Sequence, residues 1–119
     1  MKGIETYQEN TITTQTPGRI VVMLYEGAIK FLKQAITEMQ AENHEAKSKY
    51  INKAEDIINE LNTVLDMEAG GEIATNLRSL YTFMIRHLHE ANIQKDPGKI
   101  EEVTKLLEEL NQSWKAISA

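Results

Sequence analysis

The chain of 119 residues contains no cysteine, only two prolines and six glycines. Without cysteine there is no disulfide, no thiolate nucleophile and no thiolate-held metal, and the composition suits a reducing compartment. Long hydrophobic runs are missing too. The longest, Ile20 to Tyr25, has six residues, against the ~20 that cross a bilayer as a helix. The opening residues Met1-Lys2-Gly3-Ile4-Glu5 lack the apolar stretch of a secretory signal. Nor is there an excess of basic charge: 13 Lys and Arg stand against 18 Asp and Glu, a net charge of −5. Nucleic-acid affinity comes mainly from cations that displace counterions from phosphates, so this balance argues against nucleic acid and anionic membranes. The one basic cluster, Lys47, Lys49 and Lys53, is interleaved with Glu45, Glu55 and Asp56, as on a solvated helix face. The expectation is a cytoplasmic protein that does not insert into a membrane. Its size suits a single domain that buries roughly 65% of the surface exposed when unfolded.

What is present is helical periodicity. Residues 1–16 form a Thr-rich arm with few, spaced apolar residues, Ile4, Tyr7 and Ile12; threonine is a poor helix former. Thr16-Pro17 reads as a cap followed by a first-turn proline. A helix over 17–40 then carries one seam at Ile20, Leu24, Ala28, Phe31, Ala35 and Met39. A second runs through Val21, Tyr25, Ile29, Leu32 and Ile36. Together they span roughly 200° of the helix, wider than one partner helix covers. A second helix is predicted over 45–66, with Tyr50, Ala54, Ile57, Ile58, Leu61, Val64 and Leu65 on one stripe. Gly70-Gly71 suits a turn needing positive φ. A third helix over 72–94 carries Ile73, Leu77, Leu80, Tyr81, Met84, Leu88 and Ala91. Asp96-Pro97 repeats the cap-then-proline signal and opens a fourth over 97–118, with Ile100, Val103, Leu107, Leu110, Trp114 and Ile117. Short connections make neighbours antiparallel. The expected fold is all-α: an up-down four-helix bundle spanning 17–119, with an extended N-terminal arm.

Sites for chemistry fare poorly. A di-metal bundle site needs inward Glu residues and two Glu-x-x-His pairs, but Ala41, Met84 and Arg86 stand three before His44, His87 and His89. No serine sits in a nucleophile-elbow motif, and Gly70-Gly71 is not part of a phosphate loop. The reading is no enzyme, with no catalytic residue, metal or cofactor. The apolar surplus of the first helix and the apolar arm residues point instead to a binding module. Grooves between bundle helices seat another amphipathic segment through anchors at i, i+3, i+4 and i+7, and methionines such as Met23, Met39, Met67 and Met84 help such a surface adapt.

Specific strings resemble the FliS family, export chaperones dedicated to flagellin. They begin with Ile4-x-x-Tyr7-x-x-Asn10 and Thr16-Pro17-x-x-Ile20-Val21-x-Met23-Leu24-Tyr25-Glu26-Gly27-Ala28-Ile29. Next come Lys53-Ala54-x-x-Ile57-Ile58-x-Glu60-Leu61 and, most distinctive, Leu65-Asp66-x-Glu68-x-Gly70-Gly71-Glu72-Ile73-Ala74-x-Asn76-Leu77-x-x-Leu80-Tyr81. Arg86-x-Leu88-x-x-Ala91-Asn92, Glu101-Glu102-Val103-x-x-Leu106-Leu107 and Trp114-Lys115-x-Ile117 complete the match, which covers essentially the whole chain. Glu26 stands where the family often has Asp, and His87 where a second basic residue often follows Arg86.

The resemblance implies a cytoplasmic bundle that binds the C-terminal segment of flagellin, a segment disordered alone that becomes helical as it wraps around the chaperone. It would block premature polymerisation and present the subunit to the flagellar type III export gate. A cochaperone or flagellar regulator is a possible further partner. For the flagellin groove the expected residues are Ile57, Leu61 and Leu65 on the second helix, Ile73, Asn76, Leu77 and Tyr81 on the third, and Val103, Leu107 and Leu110 on the fourth. Ile4 and Tyr7 match the family's gate-docking pair and are expected to cover part of the empty groove. The alternative from pattern alone is a regulatory module that binds another amphipathic helical partner.

Overall fold

A computed structural model of the chain describes residues 17–68 and 71–118. Four helices follow one another: α1 (Pro17–Gln40), α2 (His44–Glu68), α3 (Gly71–Gln94) and α4 (Pro97–Ser118). Among the described residues every regular element is a helix. Helix α2 begins one residue earlier and ends two residues later than the apolar spacing predicts, and α3 starts at Gly71 itself, at φ 55°.

The turns between helices are built by backbone and cap chemistry. At the end of α1, Glu42 lies at φ 61°; its N–H donates to Met39 O (3.1 Å) and that of Asn43 to Glu38 O (2.9 Å). These are the paired bonds of a Schellman ending, which satisfies carbonyls the helix leaves free. Asn43 then caps α2, its Oδ1 accepting from Ala46 N–H at 3.4 Å. The end of α3 repeats the device: Lys95 sits at φ 55°, the Asp96 N–H donates to Ala91 O (3.0 Å), and Asp96 Oδ1 accepts from Gly98 N–H at 2.9 Å to open α4.

Packing is cyclic: α1 lies against α2 and α4, and α3 closes the ring against the same two helices less extensively. The core stripe of α1 is Val21, Tyr25, Ala28, Leu32, Ala35 and Met39, all buried. Leu24 and Phe31 on one flank, and Ile29 and Ile36 on the other, are partly buried against it. The wide apolar face of α1 is therefore consumed by two neighbours, rather than left as the surplus the sequence suggests. A methyl at Gly27 would meet Ile57 Cδ1 at 3.3 Å, so the missing side chain admits α2 closely. On the same flank Phe31 stacks with Tyr50 at 6.1 Å between centroids, with Lys53 Nζ 5.3 Å above the Phe31 ring.

A polar link crosses the core. Tyr25 of α1 and Tyr81 of α3 share a hydrogen bond of 2.5 Å between hydroxyls, across the diagonal of the bundle. Trp114 of α4 is partly buried against the same core and lies beside the Tyr25 hydroxyl. Burial pushes both phenols above their ordinary value. At the end of the bundle that holds the two Schellman turns, Lys47 is 3% exposed, and its Nζ donates to Asn92 O at 3.2 Å, close to the C-terminus of α3, where a cation is favoured. Ser48 Oγ donates to Asn92 Oδ1 at 3.1 Å. Burial, and then repulsion from Lys95, lower the Lys47 pKa.

Two measurements check this account. A non-glycine residue in the left-handed region costs roughly 1–2 kcal/mol, partly offset because glycine loses more entropy on folding. Glu42→Gly and Lys95→Gly should therefore each raise the urea-unfolding free energy by about 0.5–1 kcal/mol, with Lys95→Gly also relieving Lys47. For the tyrosines, the folded pKa lies above the unfolded value of ~10. Their contribution is intact below that pH and is lost as pH climbs past it, so tyrosinate absorbance should grow in step with loss of helical ellipticity. Replacing both hydroxyls, in Tyr25→Phe/Tyr81→Phe, should move the alkaline midpoint upward; an unchanged midpoint would contradict this.

Candidate functional site

Exposed apolar surface collects on α3. Ile73 is 62% exposed and Phe83 43%, and Leu80 between them is only partly buried. At 100° per residue these three lie within about 80° of one another, together with His87. His87 faces α4, because its Nε2 lies 2.6 Å from Glu102 Oε2. The stripe therefore borders the α3/α4 seam. From α4, Leu106 and Leu110, both partly buried, share the flank turned toward α3. The result is a shallow apolar groove with Leu80, Leu106 and Leu110 low in it and Ile73 and Phe83 on its α3 wall. Asn76, exposed one turn from Ile73 and Leu80, adds an amide at the rim.

The seam is not uniform along its length. Over the last two turns of α3 it is bridged by His87–Glu102 and by Lys99–Glu90, whose Nζ–Oε2 distance is 2.9 Å. Lys99 holds the Glu90 carboxyl below its usual range, first by the hydrogen bond and then by its charge. The His87 ring stacks on Phe83 at 5.0 Å and 25°, so the aromatic wall and the first bridge are one continuous surface.

The residues expected from sequence to form one groove do not share one surface. Leu61, Tyr81, Val103 and Leu107 are buried in the core at 0–1% exposure, with Tyr81 tied to Tyr25. Ile57 lies on the opposite flank, where α2 meets Gly27 of α1. Leu77 is partly buried against the core. Ile73, Asn76 and Leu110 do border the α3/α4 groove. The side chain of Leu65, and the arm residues Ile4 and Tyr7, lie outside the described residues. Sequence reasoning missed Phe83 as a wall and Leu106 as part of the floor. The available signal was the second spacing on the third helix, Ile73–Leu80–Phe83, offset from the core stripe through Leu77, Tyr81, Met84 and Leu88.

Comparison with known proteins decides what kind of protein carries this groove. A family model described as the flagellar protein FliS matches residues 1–119. The flagellar secretion chaperone FliS of Salmonella typhimurium is 40% identical over 121 residues, covering 98% of this chain and 90% of that protein. The chain belongs to the FliS family. The Pseudomonas aeruginosa flagellar secretion chaperone FliSB is 39% identical, covering 99% of this chain and 97% of its own length. FliS of Bacillus subtilis is 35% identical over 109 residues, covering 92% and 80% respectively.

FliS proteins are chaperones, not enzymes. No group of three or more His, Asp or Glu side chains among the described residues could hold a metal ion, and no helix among them is long and apolar enough to cross a membrane. A cavity of about 660 Å³ lies away from the groove, over α1, α2 and α4. Its polar lining includes Lys30, Thr37 and Glu38, and the Lys33–Glu108 and Lys115–Glu26 pairs at 3.7 Å border it. These pairs are exposed and contribute little to stability. The core and groove assignments separate on unfolding. Leu107→Ala should cost ~2–5 kcal/mol, while Ile73→Ala should cost less than ~1 kcal/mol, both read by urea denaturation.

Proposed function

We propose that this FliS protein is a cytoplasmic export chaperone for flagellin, holding the C-terminal segment of flagellin as an amphipathic helix in the α3/α4 groove. The observation that carries this reading is the apolar strip Ile73–Leu80–Phe83 facing Leu106 and Leu110, on a member of the flagellar secretion chaperone family. Such a strip matches the i, i+3, i+4, i+7 anchors of a helix laid in a groove. A segment that is disordered when free must offset its ordering cost with buried apolar area, which half-exposed Ile and Phe side chains supply. Fully burying one such side chain is worth ~1.5–3 kcal/mol, or roughly tenfold or more in affinity each. Capture keeps the segment out of premature polymerisation, and delivery to the flagellar type III export gate follows, with Ile4 and Tyr7 of the arm as the docking pair. Asn76 offers its amide to the backbone of the incoming chain. A cochaperone or flagellar regulator would act on faces the segment leaves open.

Calorimetric titration with the C-terminal segment of flagellin from the same source tests this. Saturable binding with a clearly negative heat-capacity change is expected, with helix gained in circular dichroism of the mixture. Ile73→Asp/Phe83→Asp should weaken binding at least tenfold and leave the melting temperature nearly unchanged, since both side chains are exposed in the free bundle. Unaltered affinity in that variant would remove the groove from the reading. The arm has its own check: deleting residues 1–14 should impair export, and intact export with unchanged affinity would overturn its role.

A further inference from the structure

Among the described residues, the α3/α4 seam is bridged by ion pairs near the α3–α4 turn and carries exposed apolar side chains toward the start of α3. From Ile73 to Phe83 the α3 wall offers ten residue steps, ~15 Å of helix or about three turns. Beyond Phe83, the His87–Glu102 contact of 2.6 Å and the Glu90–Lys99 contact of 2.9 Å cross from one helix to the other. His87 is mostly buried and stacked on Phe83, so the first bridge is backed by an aromatic surface rather than by a lone solvated side chain. Toward the start of α3, Ile73 and Asn76 stand exposed.

We propose that Phe83, His87 and Glu102, reinforced by Glu90 and Lys99, form an end stop that fixes where a docked amphipathic helix terminates. The inference rests on the α3/α4 groove being the seat of the flagellin segment. The bound helix places its last apolar anchor beside Phe83 and overhangs only past the Gly71 end. A helix running further would have to displace two charge-assisted contacts and bury Glu90, Lys99 and Glu102, whose desolvation an apolar face does not repay. The stop thus acts on specificity: it rejects segments whose apolar stripe continues unbroken past three turns at that end. It accepts segments that turn polar there.

Nuclear magnetic resonance of the full chain titrated with the C-terminal segment of flagellin reads this directly. In the unaltered protein, amide and methyl signals of Ile73, Leu80, Leu106 and Leu110 should shift, while those of Glu90 and of residues 97–101 should not. In Lys99→Ala/Glu102→Ala, which removes both bridges from the α4 side, the shifts should advance one to two turns toward that end. Glu102→Ala alone, at an exposed position, serves if the double variant loses helicity. Shifts at residues 90–101 as large as those at Leu80 in the unaltered protein would overturn the stop and leave the groove standing, as would an identical pattern in folded variants. Shifts confined to another face, or no binding, would overturn the groove itself and the stop with it.

Discussion

The bundle depends on a problem created by its own core: two tyrosine hydroxyls, on helices that face each other across the diagonal, are sealed from water. A buried hydroxyl without a partner costs on the order of 1–3 kcal/mol in proteins. Tyr25 and Tyr81 meet this requirement by bonding to each other. Apolar side chains tolerate sliding and repacking, whereas this contact is lost when α1 and α3 shift by a fraction of a turn. It ties the registers of α1 and α3 together across the bundle. The flank of α3 that stays exposed is determined in the same step, because the position of Tyr81 fixes which way Ile73, Leu80 and Phe83 point.

Embedding is unequal among the helices. Helix α1 packs on both flanks against α2 and α4, whereas α3 is held mainly through its second half. There Met84, Leu88 and Ala91 are buried, Lys47 and Ser48 bond to Asn92, and the two bridges reach α4. The first half of α3 contributes only Ala74 and Tyr81 to the buried set, with Leu77 and Leu80 partly buried against it. Exposed apolar surface is thus placed on the helix that the core needs least, where it does not loosen the fold.

Much of this architecture was legible in the sequence, because caps and periodicity act locally. Asp96-Pro97 and the apolar spacing identify helices, and their short connections leave only antiparallel neighbours. What sequence spacing could not do was separate groove from core, since both draw on leucine, isoleucine and aromatics at helical intervals. Tyr81 and Phe83 differ by two residues and about 200°, so one is sealed in the centre and the other lines a wall. The breadth of the apolar stripe on α1 also misled: it measures how many neighbours a helix has, and α1 has two large ones. Glu42 and Lys95 escaped notice because neither is a residue that favours the left-handed region.

A seam bridged at one end and free at the other also behaves differently under load than a symmetric one. A helix seated in it and tugged from the overhanging end breaks its contacts one turn at a time, like adhesive tape lifted at a corner. The same helix drawn along the axis of the groove would have to shear every contact together. The position of the His87–Glu102 bridge thus assigns the bundle an easy direction of unloading, away from the α3–α4 turn. Under the binding mode proposed above, a pull on the protruding chain would strip it off with small successive forces and leave the four helices folded.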